Sequence, residues 1–244
     1  MSFDFRSTKI WADGADLDGI RELRTNPLIS GFTTNPTLMR KAGVTDYVGF
    51  AQRVLEEITD KPISFEVFSD EPDEIEAQAR EISSWAGNVY VKVPVTNTRG
   101  ESTQEIVRKL TTSGVNVNVT GILTLPQVET VTRALDGGAP SIVSVFAGRV
   151  ADTGVDPVPH MTKALEITNT VPTAELLWAS PRELLNIVQA DAIGCDIITA
   201  TSDVLAKLPL LGKDLAEYSL DTVTLFYRDA QESGFTLEEA TVPS

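Results

Sequence analysis

Two runs, Ser141-Ile142-Val143-Ser144-Val145 and Ala174-Glu175-Leu176-Leu177-Trp178-Ala179, carry apolar side chains on consecutive positions. A strand with one wet face alternates apolar and polar residues. A strand buried on both faces does not, and such strands belong to parallel sheets covered by helices. Working outward from these two, six more β-rich runs share the chain: Thr8–Ala12, Ile29–Thr34, Pro62–Phe68, Asn88–Val95, Val115–Thr120 and Cys195–Thr199. Helical periodicity fills the intervals. In Asp73–Trp85, Ile75, Ala79, Ile82 and Trp85 are interleaved with charged residues, and in Pro181–Ile193, Leu184, Leu185, Val188 and Ala192 form a stripe. Pro72 and Pro181 suit the first turns of these two helices, with Ser69, Asp70 or Glu71 open as the cap of the first. Eight alternating units within about 200 residues predict an α/β fold, a single (β/α)8 TIM barrel. Beyond Thr199 the chain reads as C-terminal helices, Ser202–Leu208 and then 213–233, followed by a frayed tail over 234–244. With no Gly-rich linker, charge block or internal repeat, residues 1–244 read as one domain.

The chain has 244 residues, of which 35 are acidic and 20 basic, for a net charge of −15. Nucleic-acid binders need a basic patch to displace counterions from phosphates, so this balance argues against that class. A small phosphorylated substrate needs only a few well-placed cations and stays open. A 42% hydrophobic content suits a full globular core. One cysteine, Cys195, and one histidine, His160, make neither an internal disulfide nor a His/Cys zinc cluster. Met1-Ser2-Phe3-Asp4-Phe5-Arg6 opens no signal-like apolar core, and no run approaches the roughly 18 apolar residues of a membrane span. The expectation is a soluble cytoplasmic protein without a membrane partner.

Barrel enzymes place their chemistry at the C-terminal ends of the strands. Those ends offer Asp13, Thr33-Thr34-Asn35, Ser64 and Glu66, Lys92, Asn118 and Thr120, Ser144 and Arg149, then Ser180 and Arg182. Lys92 is the most informative. A lysine inside Val89-Tyr90-Val91-Lys92-Val93-Pro94-Val95 faces either solvent at a sheet edge or the barrel interior, and an all-parallel barrel disfavours the first. Inside, desolvation disfavours the ammonium, and a neutral amine forms Schiff bases with carbonyl compounds. The competing reading is a snorkelling or salt-bridged lysine at a strand end. Asp13 and Glu66 suit general acid–base work, although Asp13 before Gly14 also suits a helix cap. Thr120 suits positioning a water, or bonding to backbone. Asn35-Pro36 suits the site, or simply a turn into a helix. Arg149 and Arg182 suit a phosphate site, or surface ion pairs. Neither a GxxxxGK[ST] loop nor a strand–GxGxxG–helix fingerprint occurs. His160, flanked by Val158-Pro159 and Met161, reads as structural, and Cys195 as core.

These motifs together resemble the transaldolase family of class I aldolases, over about residues 8 to 208. The resemblance rests on Ala12-Asp13, Gly31-Phe32-Thr33-Thr34-Asn35-Pro36, Ile63-Ser64-Phe65-Glu66-Val67, Val91-Lys92-Val93-Pro94, Asn118-Val119-Thr120, Ser144-Val145-Phe146-Ala147-Gly148-Arg149 and Ala179-Ser180-Pro181-Arg182. It implies a cofactor-free barrel in which Lys92 is the Schiff-base lysine and Asp13 the acid–base residue for carbon–carbon cleavage. Glu66 and Thr120 would hold the catalytic water. Asn35, Ser64 and Asn118 would contact a dihydroxyacetone unit, and Ser144, Arg149, Ser180 and Arg182 a sugar phosphate. The implied partners are small sugar phosphates, with homo-oligomerisation open. Related fructose 6-phosphate aldolases tend to carry glutamine and tyrosine where this chain has Glu66 and Phe146, so both positions resemble the transaldolase type. The chain length resembles the short branch, which contains both activities. That leaves release of free dihydroxyacetone open. Ala12-Asp13-Gly14-Ala15-Asp16 and Pro181, which stands where an aromatic is more common, depart from the usual forms and bear on substrate range, leaving room for an unusual biosynthetic acceptor.

The acidity is uneven. From Glu183 to the end there are 11 acids against 3 bases, while the proposed site draws on Lys92, Arg149 and Arg182. The excess reads as surface character.

Overall fold

The computed structural model describes residues 7–234, and these divide into two compact units, one running to Leu208 and the other beginning at Pro209. The expected frayed tail, apart from Gly234, lies outside the described residues, as does the N-terminal hexapeptide.

In the first unit the order is β1 (Lys9–Asp13), α1 (Leu17–Arg24), β2 (Ile29–Thr33), α2 (Pro36–Lys41), α3 (Tyr47–Glu57), β3 (Ile63–Glu66), α4 (Pro72–Ser84) and β4 (Val89–Pro94). It continues through α5 (Gln104–Thr112), β5 (Val117–Ile122), α6 (Leu125–Leu135), β6 (Ser141–Val145), α7 (Ala147–Asp152), α8 (Pro157–Thr168), β7 (Ala174–Trp178), α9 (Leu185–Ile193), β8 (Ile197–Thr201) and α10 (Ser202–Leu205). The eight strands are parallel and close in sequence order, β8 pairing back onto β1. This is the (β/α)8 barrel that the double-sided apolar runs predict.

Closure settles where each side chain points. In β4, Val91 and Val93 are fully buried, and Lys92, between them, therefore projects inward, because neighbouring strand residues face opposite sides. A closed barrel has no edge at which the lysine could meet solvent. Inside the barrel, Trp11, Ile142, Leu177 and Ile197 pack together, with Tyr90 edge-on to Trp11 at 6.4 Å between ring centres. Gly31 makes room for the indole. A Cβ there would stand 2.4 Å from the Trp11 ring.

The helix starts are partly as expected. Pro72 opens α4, with Glu71 in the cap position, and Asn35 caps α2 by accepting from the Leu38 amide at 2.9 Å. Asp13 does not cap α1. Asp16 does, accepting from Gly19 N. The expected helix start at Pro181 is corrected, because α9 begins at Leu185. Ser180 takes a left-handed φ of 60°, and the Arg182 and Glu183 amides donate to Asn186 Oδ1. That side chain satisfies two amides in an irregular turn, so the helix starts later.

Cys195 is buried core, as expected, and burial pushes its thiol up to about 12. His160 sits on α8. In the second unit, Asp214 caps α11 (Leu215–Ser233) by accepting from Ala216 N and Glu217 N, and Gly234 ends it at φ 66°. The expected helix over 202–208 is instead the short α10 followed by a 3-10 turn at Leu208–Leu210. Among the described residues no helix is long and apolar enough to cross a membrane.

Candidate active site

A cavity of about 630 Å³ opens at the C-terminal mouth of the barrel. Asp13, Asn35, Glu66, Lys92, Asn118, Thr120, Ser144, Phe146, Arg149, Ser180 and Arg182 all line it. Strand ends far apart in sequence converge there because each parallel strand delivers its last residues to the same face. Ser64 is the one expected residue that lies beneath the lining. It is fully buried and accepts from Asn118 Nδ2 at 3.1 Å. Ser144 donates to Asn118 Oδ1 at 2.6 Å, so hydroxyls on β3 and β6 hold the β5 amide in one orientation.

Lys92 is only 7% exposed. Its Nζ donates to the carbonyl of Thr34 at 2.9 Å and stands 3.1 Å from Glu66 Oε2. The β3–β4 register places Glu66 directly beside Lys92, which produces the ion pair. The interior and salt-bridged readings are therefore both true of this lysine. Glu66 is fixed from behind, its backbone carbonyl accepting from the Tyr47 hydroxyl at 2.7 Å.

Asp13 accepts from Thr33 Oγ1 at 2.9 Å. Burial pushes its carboxyl above the ordinary aspartate range. The Lys92 charge and hydrogen bonds from Thr33 and Asn35 pull it back, and Glu66 pushes it up again. Thr33 Oγ1 also lies 2.6 Å from Thr199 Oγ1. A hydroxyl has one proton, so with Thr33 donating to Asp13, Thr199 donates to Thr33. Thr120 Oγ1 is buried without a hydrogen-bond partner and belongs to the cavity wall, where a polar ligand or water can satisfy it.

The other side of the mouth is cationic. The Arg149 guanidinium lies 5.3 Å above the Phe146 ring, and among the described residues no carboxylate pairs with it. Arg182 is paired. Its Nε donates to Asp152 Oδ1 at 2.9 Å and its Nη2 to Asp152 Oδ2. The surface-pair reading thus holds for Arg182, although its side chain also lines the cavity. No group of three or more His, Cys, Asp or Glu that could hold a metal ion occurs among the described residues.

Sequence reading missed Lys41, Thr199, Thr201 and Asp203 in the lining, and Asp152 beside it. Thr199 ends the eighth apolar run, so the strand-end rule carried a signal for it. Asp152 carried none, since it meets Arg182 across 30 residues of chain.

Residues 10–241 match the family described as Transaldolase/Fructose-6-phosphate aldolase. The chain belongs to this family. A protein named "Probable transaldolase" from Dehalococcoides mccartyi is 33% identical over 217 residues, covering 87% of this chain and 97% of that one. Another of the same name, from Roseiflexus castenholzii, is 37% identical over 200 residues, covering 82% and 88%. Among solved structures, an HpcH/Hpal aldolase/citrate lyase family protein from Burkholderia cenocepacia superposes with a TM-score of 0.59 at 13% identity, covering 89% of this chain and 95% of that one. A 3-hexulose-6-phosphate synthase gives 0.55 at 16% identity, covering 80% and 90%. At such identities these two share the barrel fold with this family member and nothing finer.

Proposed function

We propose that this family member is a transaldolase that carries a dihydroxyacetone unit on Lys92 from a ketose phosphate to an aldose phosphate. The observation that supports this best is a buried lysine in the cavity wall, 3.1 Å from a carboxylate, with a second, half-buried carboxylate in the same cavity. Lysine beside one acid only would suit a structural ion pair. Schiff-base chemistry with carbon–carbon cleavage needs two separate proton acceptors.

Glu66 accepts the proton that Lys92 must lose, and the free amine adds to C2 of the ketose. With Thr120, Glu66 holds the water that passes protons as the carbinolamine loses its hydroxyl as water. The resulting iminium draws in the C3–C4 bonding pair. Asp13 takes the C4 hydroxyl proton as that bond breaks, leaving an enamine on Lys92 and a free aldose phosphate. The acceptor aldose reverses these steps, and Asp13 returns its proton to the former aldehyde oxygen. Burial suits Asp13 to this exchange by raising its proton affinity towards working pH.

Asn35 and Asn118, the latter braced by Ser64 and Ser144, hold the three-carbon unit. Arg149, Ser180 and Arg182, with Ser144 at their edge and Phe146 beneath Arg149, take the phosphate. Binding the remote phosphate helps fix the reacting carbons. Borohydride with fructose 6-phosphate should leave a three-carbon adduct on Lys92, read by mass spectrometry. An unmodified Lys92 would sink the proposal. Release of free dihydroxyacetone as fast without an acceptor aldose as with one would assign the aldolase reading instead.

A further inference from the structure

We infer that Asp152 is a positioning residue of the anion subsite, aiming the Arg182 guanidinium at the phosphate of the sugar. The inference rests on the sugar-phosphate reading above.

The subsite is built from two chain segments that meet at one point. Gly148 and Arg149 enter α7 after β6, and Ser180-Pro181-Arg182 leave β7. The Gly148 amide donates to the Ala179 carbonyl at 3.3 Å. A Cβ on Gly148 would stand 1.5 Å from the Ser180 carbonyl oxygen and 3.3 Å from Arg182 Nε. Only glycine permits that approach. Ser180 takes a left-handed φ of 60°, a conformation that non-glycine residues adopt only when their surroundings enforce it. The Arg182 amide is tied to Asn186 Oδ1 at 2.7 Å. The backbone of Arg182 is thus fixed, but its side chain keeps several free torsions.

Asp152 removes that freedom. It sits three residues after Arg149 on α7 and receives both Nε–H and one Nη2–H of Arg182. A carboxylate that takes this edge of the guanidinium fixes its plane and leaves Nη1 to point elsewhere. A stability role explains the pair poorly, because the side chains are 46% and 52% exposed and surface pairs contribute little to stability. Both Arg182 and Arg149 act on the Asp152 carboxyl and hold it below the usual aspartate range, so it stays charged throughout the neutral region. Two arginines and one carboxylate leave the subsite with one net positive charge. It therefore relies on aimed donors to hold a phosphate monoester.

A carboxylate in contact with a phosphate-binding arginine has two opposite consequences, and experiment separates them. If Asp152 aims Arg182, its loss weakens phosphate binding. If it merely competes for the guanidinium, its loss tightens binding. D152A, D152N, R182A and the D152A/R182A double variant should be compared for inorganic phosphate binding by calorimetry, for KM and kcat with fructose 6-phosphate, and for borohydride trapping of unphosphorylated dihydroxyacetone on Lys92. D152A should weaken phosphate about tenfold and raise KM by a similar factor, the size expected for one charge-assisted contact. kcat should stay within about twofold, since the contact is remote from the reacting carbons. Trapping of dihydroxyacetone should be unchanged. D152A should cost nothing further in the R182A background, because a residue acting through Arg182 has no effect without it. D152N keeps side-chain volume and should show the same trend if D152A folds poorly. Equal or tighter phosphate binding in both variants, or an undiminished loss on the R182A background, would overturn the inference. Parent protein that binds phosphate but traps no ketose would refute the transaldolase reading alone. Parent protein that binds no phosphate would refute this one.

Discussion

Thr33 donates its hydroxyl proton to Asp13 across 2.9 Å, joining the last residues of β1 and β2, which the strand register sets side by side. Thr199 on β8 stands behind Thr33 at 2.6 Å, so three neighbouring strands tune one carboxylate. The hydrogen bond favours the ionised acid and opposes burial, which favours the neutral one.

Removing the Thr33 hydroxyl should therefore raise the Asp13 pKa further. In the proposed reaction Asp13 works first as a base, so activity falls as pH drops through its pKa. In Thr33→Val the acid limb of the kcat profile should move to higher pH, with little change in the amount of adduct trapped on Lys92. An unmoved limb would mean that another group sets it.

Asp13→Asn should separate the chemical steps. Schiff-base formation survives, and carbon–carbon cleavage falls by a factor on the order of 10³, a typical contribution of a general base. Stability should move the other way. A carboxyl whose folded pKa is raised favours the folded state at acid pH, and that contribution is lost as pH rises through the folded value. Above the ordinary aspartate range the parent carries the cost of that raised pKa, and the asparagine does not. Melting temperature should rise at pH 7, with the gain shrinking as pH is lowered towards the ordinary aspartate range.

Lys92→Met should abolish trapping and also destabilise the fold by about 3 kcal/mol, because Glu66 is left enclosed without its cation. Adding Glu66→Gln should recover much of that loss in urea denaturation while activity stays absent. Strict additivity of the two changes would show that the pair is not coupled.

Arg149→Ala should raise KM for phosphorylated substrates and leave trapping of dihydroxyacetone intact, since the guanidinium lies over Phe146 and not against Lys92. Kinetics equal to the parent's would remove Arg149 from the site.

Gly148→Ala should damage both halves of the proposed anion subsite at once, because the added carbon meets the Ser180 backbone and not a movable side chain. A fall in melting temperature together with a raised KM is expected. A variant with the stability and KM of the parent would show that the two segments can separate.

Consecutive apolar residues in strands such as β6 and β7 announced a parallel sheet buried on both sides, and the recurrence of such runs announced the barrel. This information is local, since burial on two faces is written into each strand's own sequence. The strand-end rule then drew Asp13, Glu66, Lys92, Asn118, Thr120 and Ser144 together, because parallel strands deliver their ends to one face. Arg149 and Arg182 were legible as a pair of cations near the strand ends, but not as to which was engaged in an ion pair.

What the sequence could not decide depended on closure and on contacts between distant segments. Lys92 read as facing inward, because an all-parallel barrel leaves little edge, and closure supported that reading while adding the ion pair with Glu66. Asp13 also read as a helix cap, a reading removed only by Asp16 in the capping position, with Asp13 set beside Thr33 instead. Pro181 promised a helix start, which the Asn186 side chain and the left-handed Ser180 overrode. Asp152 is one acid among many in an acidic chain, and only its meeting with Arg182 across 30 residues sets it apart. By itself the sequence determined the barrel and the chemical inventory at its mouth, because periodicity and strand ends are local properties. Tertiary structure alone decided which groups pair, since hydrogen bonds and ion pairs form between atoms that folding, and not chain order, brings within about 3 Å.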